Sequence, residues 1–247
     1  MTLPNEYKPP NPTAGDHLHA LARAGVGSIP FVGAAAKELL SLLITPPLEK
    51  RRREWMESIG EALRGLEQDE RVRLKDLQSN DAFVDTVMHA LQAALRNSEQ
   101  EKIVALRNAV LNATLPNAPE ESLQHIFLNL VDTMTVWHLQ ILRLFHEPRS
   151  WFVENGGRVP EIGGGQLGRV LEAAYPKMAA QRTLYDHIVK DLNARGLLSV
   201  DSLHGPNMSA GGLMESRSTA LGKLFLAFIT CTTVNAKQKG TAGEGVK

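Results

Sequence analysis

Gly163, Gly165 and Gly168 are spaced as G-x-G-x-x-G, the pattern of a dinucleotide-binding loop. In that loop a strand must precede the first glycine, so that the following helix points its N-terminus at the pyrophosphate. Residues 159–162 are too few to form such a strand and contain Pro160, and no strand–helix–strand pattern surrounds them. The residues around the glycines therefore indicate a linker, and we predict no bound cofactor.

The histidines and the single cysteine do not form a recognisable metal site or nucleophile. His17 and His19 point apart on a helix, and His138 and His146 have no cysteine cluster or H-E-x-x-H motif beside them. His138 adjoins apolar residues, so we expect a hydrogen-bonded core histidine. Cys231 is predicted to be a small buried hydrophobe. We predict no metal, no catalytic residues and no enzyme, although triads assemble from positions that sequence does not connect.

Composition excludes several protein classes. The chain has 247 residues, 43% of them hydrophobic, which is enough for a sizeable core. Its 27 Lys and Arg balance 27 Asp and Glu, so no basic excess points to nucleic acid. One cysteine fits a reducing compartment. No signal peptide is visible, and no uncharged stretch reaches the ~20 apolar residues of a membrane-spanning helix. We therefore expect a cytoplasmic protein.

The first part of the chain is typical of a helical bundle. Prolines predict an extended arm over residues 1–13, followed by a helical domain over 14–153. Two helices, 34–44 and 48–68, are expected on either side of Pro46 and Pro47. Further on, Asn80 is a predicted N-cap, Ser98-x-x-Glu101 matches a capping box, and the apolar spacing over 120–146 predicts one long helix.

The last third of the chain has a different pattern. Glycines and prolines make residues 154–164 the predicted linker, and residues 232–247 a disordered tail. Between them, the module 165–231 is expected to hold helices over 167–175, 183–194 and 219–230, with Gly196 as a C-cap, and a short β-hairpin of strands 197–200 and 213–217. The predicted fold is therefore all-α, with an N-terminal helical bundle followed by a C-terminal winged-helix-like module.

Several segments resemble a known bacterial family. Residues 184–198 look like the second half of a winged helix, and Thr219–Leu226 looks like its closing helix. Residues 106–112 and 131–138 resemble the helical region that accompanies such modules. Together they are similar to the Abi-alpha family over about residues 80–230, a family associated by name with abortive phage infection. This resemblance implies a role in phage defence and brings no catalytic residues with it.

One candidate surface is an apolar segment followed by a basic cluster, over residues 24–53. Small residues allow helices to approach closely in membranes, and adjacent cations attract anionic headgroups. The alternative is a glycine turn and a core helix, since Lys37 and Glu38 would be costly at the centre of a bilayer. The residues of the possible membrane segment are Gly25, Gly27, Phe31, Gly33, Leu39, Leu43, Lys50, Arg51, Arg52 and Arg53.

The second candidate surface belongs to the winged-helix-like module and would contact a protein or DNA. Its residues are Arg182, Tyr185, Lys190 and Arg195. Asp186 and Asp191 lie on the same predicted helix and would repel phosphate, which favours a protein partner. The leading prediction is a non-enzymatic bacterial interaction protein that acts at a membrane through residues 24–53. The alternative is a winged-helix DNA-binding regulator.

Overall fold

The computed structural model describes residues 34–77 and 79–231, with side chains from residue 47 onward. The expectations for residues 1–33 and for the tail 232–247 lie outside this part of the chain. The described residues are mainly helical, as predicted, and include no strand. Their α-helices are α1 (Ala34–Gln68), α2 (Leu74–Leu77), α3 (Asp81–Arg96), α4 (Gln100–Ala113), α5 (Glu121–Thr133), α6 (Val136–His146), α7 (Pro148–Gly156), α8 (Gly168–Ala174), α9 (Arg182–Ala194), α10 (Ala210–Leu213) and α11 (Ala220–Ile229).

Helix α1 runs without interruption through Pro46 and Pro47, so the predicted break between 34–44 and 48–68 is wrong. Proline removes one N–H from the helical ladder and its ring crowds the carbonyl four residues earlier. Both costs fall on two adjacent positions, and the remaining hydrogen bonds of the long helix continue on either side. The described part of the chain divides into two units between Glu54 and Trp55, a boundary that falls within α1.

The segment 120–146 forms two helices, α5 and α6, where the apolar spacing predicted one. Met134 and Thr135 have extended backbones with ψ near 152° and 164°, which ends α5 and lets the chain restart. Thr135 and His138 then form a reciprocal capping box at the start of α6. Because this cap satisfies N–H groups that a new helix leaves open, it stabilises the break.

The main apolar core of the second unit is a cluster that extends from Trp55 to Ile229, and Leu66, Val72 and Leu115 form a smaller separate cluster. Phe127 of α5 packs against Phe225 and Phe228 of α11, with ring centroids 5.4 Å and 5.8 Å apart. Buried side chains on both sides of residues 154–164 belong to the main cluster. Helix α7 extends into the predicted linker as far as Gly156 and is capped by Gly157, whose φ of 73° suits a glycine C-cap. The domain boundary at residues 154–164 stays a prediction.

The predicted strands 197–200 and 213–217 are not formed, so the β-hairpin is wrong for this described region. These segments meet at one isolated antiparallel bridge between Leu198 and Ser218. The Ser199 N–H donates to Arg217 O at 2.8 Å. Pairing goes no further because the Arg217 N–H, which would continue the ladder, donates to Phe145 O at 2.7 Å. The residues just before the expected return strand form helix α10, which Ser209 caps by accepting the Gly212 N–H.

Candidate functional site

The basic cluster Lys50–Arg53 is exposed on α1. Lys50 Nζ lies 3.7 Å from Glu54 Oε1, whereas no ion pair among the described residues involves Arg51, Arg52 or Arg53. Within the described helices, none is long and apolar enough to cross a membrane. Of the other predicted membrane residues, Leu39 and Leu43 lie on α1 without described side chains. Gly25, Gly27, Phe31 and Gly33 lie outside the described residues.

The four residues of the predicted partner surface on α9 differ in their exposure to solvent. Arg182 and Lys190 are exposed, and Arg195 is half-buried. Tyr185 is only 1% exposed, so it belongs to the core and its assignment to a contact surface is corrected. Sequence alone misplaced it because the hydroxyl of a tyrosine allows either position. The hydroxyl lies 3.0 Å from His204 Nε2, and it joins α9 to the loop that precedes α10.

The two arginines of this surface are paired with acidic residues of their own helix. Arg182 Nε lies 3.4 Å from Asp186 Oδ2. Arg195 Nε donates to Asp191 Oδ2 at 2.7 Å. Each pair spans one helical turn, a spacing that brings the two side chains together. The α9 surface therefore carries little net positive charge, as the sequence indicated.

His138 is a buried, hydrogen-bonded histidine, which confirms the prediction for this residue. Together with Thr135 and Asp191 it forms a hydroxyl–imidazole–carboxylate series, the order of groups that activates a nucleophile. The Thr135 hydroxyl lies 2.8 Å from His138 Nδ1. The same Nδ1 accepts the backbone N–H of Thr135, so the contact between the two residues serves as the N-cap of α6. None of these three residues lines the cleft described next.

A polar cleft of about 620 Å³ opens beside α6, which packs against both α7 and α11. Its volume falls within the ~300–1,000 Å³ of small-molecule sites. Residues at helical spacing on each wall face the same space. Helix α6 contributes Gln140, Arg143 and His146; α7 and its cap contribute Glu147, Ser150, Trp151, Glu154 and Asn155; α11 contributes Lys223, Leu226 and Ala227. Glu101, Tyr175 and Thr230 complete the lining.

Glu101 is held by two residues of α6. The Gln140 side-chain amide donates to Glu101 Oε1 at 2.6 Å, and Arg143 lies 3.6 Å from Oε2. The predicted capping box of Ser98 and Glu101 is therefore wrong: α4 begins after Glu99 and has no side-chain cap. A charged partner and an amide from another helix compete successfully with the local backbone N–H for this carboxylate.

The aromatic wall of the cleft comes from Trp151 and Tyr175. Their ring centroids are 5.2 Å apart in an edge-to-face arrangement, and Trp137 packs on Tyr175 at 5.3 Å. Burial, and secondly the nearby Glu101 carboxylate, raise the pKa of Tyr175 to about 12. The phenol is therefore neutral at physiological pH and is available as a hydrogen-bond donor.

His146 is tied to the start of α11, because its Nδ1 lies 2.8 Å from Ser218 Oγ. A serine–histidine pair is the beginning of a nucleophilic site, but an acid that orients the ring is also needed. No acidic residue of the described chain is paired with His146. The sequence analysis considered His146 as a metal ligand and rejected it, and it did not identify the cleft. The local signal that could have indicated it is the spacing of Glu147, Ser150, Trp151 and Glu154, which is typical of one face of a helix.

Two backbone amides of the glycine motif are hydrogen-bonded to residues 203–208. The N–H of Gly165 donates to Met208 O at 2.9 Å, and that of Gly168 donates to Leu203 O at 3.0 Å. Since these amides are already bonded, they are not free to cradle a phosphate.

Two further observations bear on the chemistry of these sites. Among the described residues, no group of three or more His, Cys, Asp or Glu side chains could hold a metal ion. Cys231 is half-buried where the sequence predicted a buried residue.

Comparisons of the chain with protein-family models, with curated proteins and with solved structures found no match.

Proposed function

We propose that the chain is a non-enzymatic bacterial interaction protein that attaches to the anionic surface of the inner membrane through the basic cluster Lys50–Arg53. One observation carries the proposal. Three consecutive arginines are exposed on α1, and no acidic residue of the described chain is paired with them. Cations that are not neutralised internally are free to meet an external anion.

The magnitude is sufficient for reversible attachment. Each Lys or Arg near an anionic leaflet contributes about 1 kcal/mol, and the attraction decays within a Debye length. Glu49 and Glu54 flank the cluster and reduce its effect. Four cations therefore support surface binding that added salt weakens, and the apolar residues 24–48 would add to it.

The biological role in phage defence rests on the resemblance to the Abi-alpha family. In this proposal, the protein partner that residues 165–231 bind directs residues 24–48 to the bilayer, to which the exposed cluster Lys50–Arg53 already attaches the chain. A winged-helix relationship of 165–231 is part of the proposal and rests on the order of α8, α9, the isolated bridge and α11. Arg182 is paired with Asp186 and Arg195 with Asp191, which favours a protein over DNA as the partner.

The test is flotation of the full chain with vesicles of phosphatidylglycerol and phosphatidylcholine, compared with pure phosphatidylcholine. The variant R51Q/R52Q/R53Q is expected to lose about 100-fold in partitioning to the anionic vesicles, since three cations are removed. The matched control R64Q/R149Q/K177Q removes three exposed cations elsewhere and should bind normally. Equal flotation of the two variants would overturn the proposal.

A version that lacks residues 1–48 separates the two parts of the segment. If it still binds anionic vesicles but no longer releases an entrapped dye, the basic cluster attaches the protein and residues 24–48 perturb the bilayer. If it binds and leaks as the full chain does, residues 24–48 have no membrane role.

A further inference from the structure

The cleft beside α6 carries unpaired charges of opposite sign on its two walls. Lys223 is exposed on α11, whereas Glu147 and Glu154 are exposed on the α7 side. None of the three is paired with an opposite charge within the described part of the chain. Two walls of opposite sign that do not reach each other leave a gap for a ligand that meets both.

The charges deeper in the cleft satisfy each other. Glu101 lies beside Arg143 and accepts a hydrogen bond from Gln140, so this group is close to neutral overall. An anionic ligand would be attracted by Lys223 but repelled by the two glutamates. A purely cationic ligand would be attracted by the glutamates but repelled by Lys223. A ligand with both charges avoids this conflict, because each of its ends meets the opposite sign.

The aromatic wall indicates what the ligand carries besides its two charged groups. Trp151 and Tyr175 offer ring surface on which an apolar or aromatic group can pack. An ammonium group near the face of Trp151 would also gain a cation–π interaction. The neutral hydroxyl of Tyr175 adds one hydrogen-bond donor.

We propose that this cleft binds a small zwitterion of the α-amino acid or short-peptide class. Its carboxylate is placed at Lys223, its ammonium group at Glu147 and Glu154, and its side chain against Trp151 and Tyr175. The cleft shares no residue with the basic cluster Lys50–Arg53. Binding of the zwitterion therefore does not require attachment of the protein to a membrane.

The first experiment is a ligand-observed NMR screen of the full chain against the common amino acids and simple dipeptides at millimolar concentration. The strongest binder is then titrated by calorimetry beside its carboxamide, which lacks the carboxylate, and its N-acetyl derivative, which lacks the ammonium group. Both derivatives are expected to bind at least about ten-fold more weakly, because each loses one charge-assisted contact. If no compound in the screen binds, or if either derivative binds as tightly as its parent, the proposal is overturned.

Variants then assign the two ends. Lys223→Gln should weaken the amino acid about ten-fold and leave the already weakened carboxamide unchanged. Glu154→Gln should weaken the amino acid and leave the N-acetyl derivative unchanged. Lys177→Gln and Glu57→Gln remove exposed charges outside the cleft and should change nothing. Wild-type affinity in both cleft variants would show that the ligand binds elsewhere.

Discussion

His138 Nε2 lies 3.2 Å from Asp191 Oδ2, and this contact joins α6 to α9. On the other side of the ring, the backbone N–H of Thr135 donates to His138 Nδ1 at 3.2 Å. A backbone N–H can only donate, so Nδ1 is the acceptor and the neutral ring carries its proton on Nε2, facing the carboxylate. Arg195 donates to the same carboxylate oxygen at 2.7 Å. The arrangement therefore accommodates a neutral imidazole.

The pH dependence of stability should report on His138. Burial lowers its pKa below 6.5, and Arg195 and His187 act in the same direction, while Asp191 opposes them. A group with a lowered pKa binds fewer protons in the folded state, so its contribution to stability is present above 6.5 and is lost as pH falls below it. We expect the difference in unfolding free energy between wild type and His138→Gln, measured in urea, to shrink between about pH 8 and about pH 5.

His89 has to be separated from this effect. Burial first, and then the neighbouring His125, lower the pKa of His89 as well. The wild-type pH profile alone therefore mixes two histidines. Introducing His138→Gln into a His89→Gln background should remove part of the remaining pH dependence, and an unchanged profile would contradict the assignment to His138.

Gly222 is expected to tolerate no side chain. A Cβ at this position would lie 2.3 Å from Leu197 O, which is backbone and cannot move aside. Gly222→Ala should lower the unfolding free energy by more than about 2 kcal/mol through overpacking. At Gly60, by contrast, a Cβ meets nothing within 4 Å, and Gly60→Ala should raise stability by about 0.5–1 kcal/mol because alanine is the better helix former. Chemical denaturation of both variants checks the pair, and similar effects of the two substitutions would refute the packing argument.

Local signals predicted much of the helical structure. Asn80 accepts the Phe83 N–H at 3.0 Å as the expected cap of α3, and Gly196 has the positive φ of the expected C-cap of α9. Both features depend on a few neighbouring residues, which sequence shows directly. The sequence analysis did not predict the continuous α1 or the break at Thr135. In the first case the cost of two prolines is outweighed by the rest of a long helix, and in the second a local cap outweighs a continuous apolar spacing.

The cleft was not predictable by the same reasoning. Its charged walls come from Glu147 and Glu154, at the N-cap and within helix α7, and from Lys223 on α11, far apart in the chain. No spacing rule connects such positions, and their proximity follows only from the packing of α7 and α11 on α6. Glu101 shows the same limit, since its capping motif was overridden by a partner on α6.

Asn112 is expected to be important for holding α11 on α4. Its side-chain amide donates to Phe228 O at 2.7 Å and to Thr230 O at 2.8 Å, so it satisfies carbonyls at the end of α11. Asn112→Ala leaves these carbonyls without that donor and should cost about 2 kcal/mol of unfolding free energy. The exposed Asn129→Ala should change stability by less than about 0.5 kcal/mol in the same urea titration. A cost for Asn112→Ala no larger than that of the control would show that the cap is replaceable.

Duplex DNA provides the last prediction, because it separates a protein partner from the regulator alternative. Arg182 is paired with Asp186 and Arg195 with Asp191, so neither is free to neutralise a phosphate. We expect weak binding to duplex DNA even at low salt, and no change in its salt dependence in the variant R182Q/R195Q. Asp186→Asn releases Arg182 and should strengthen this weak binding about two- to three-fold, as one additional phosphate contact would. Tight wild-type binding whose logarithmic salt slope falls by about 1 for each arginine removed would instead establish that α9 contacts phosphates. Fluorescence anisotropy with a labelled duplex at several salt concentrations distinguishes the two results, since only a helix that neutralises phosphates loses slope with its arginines.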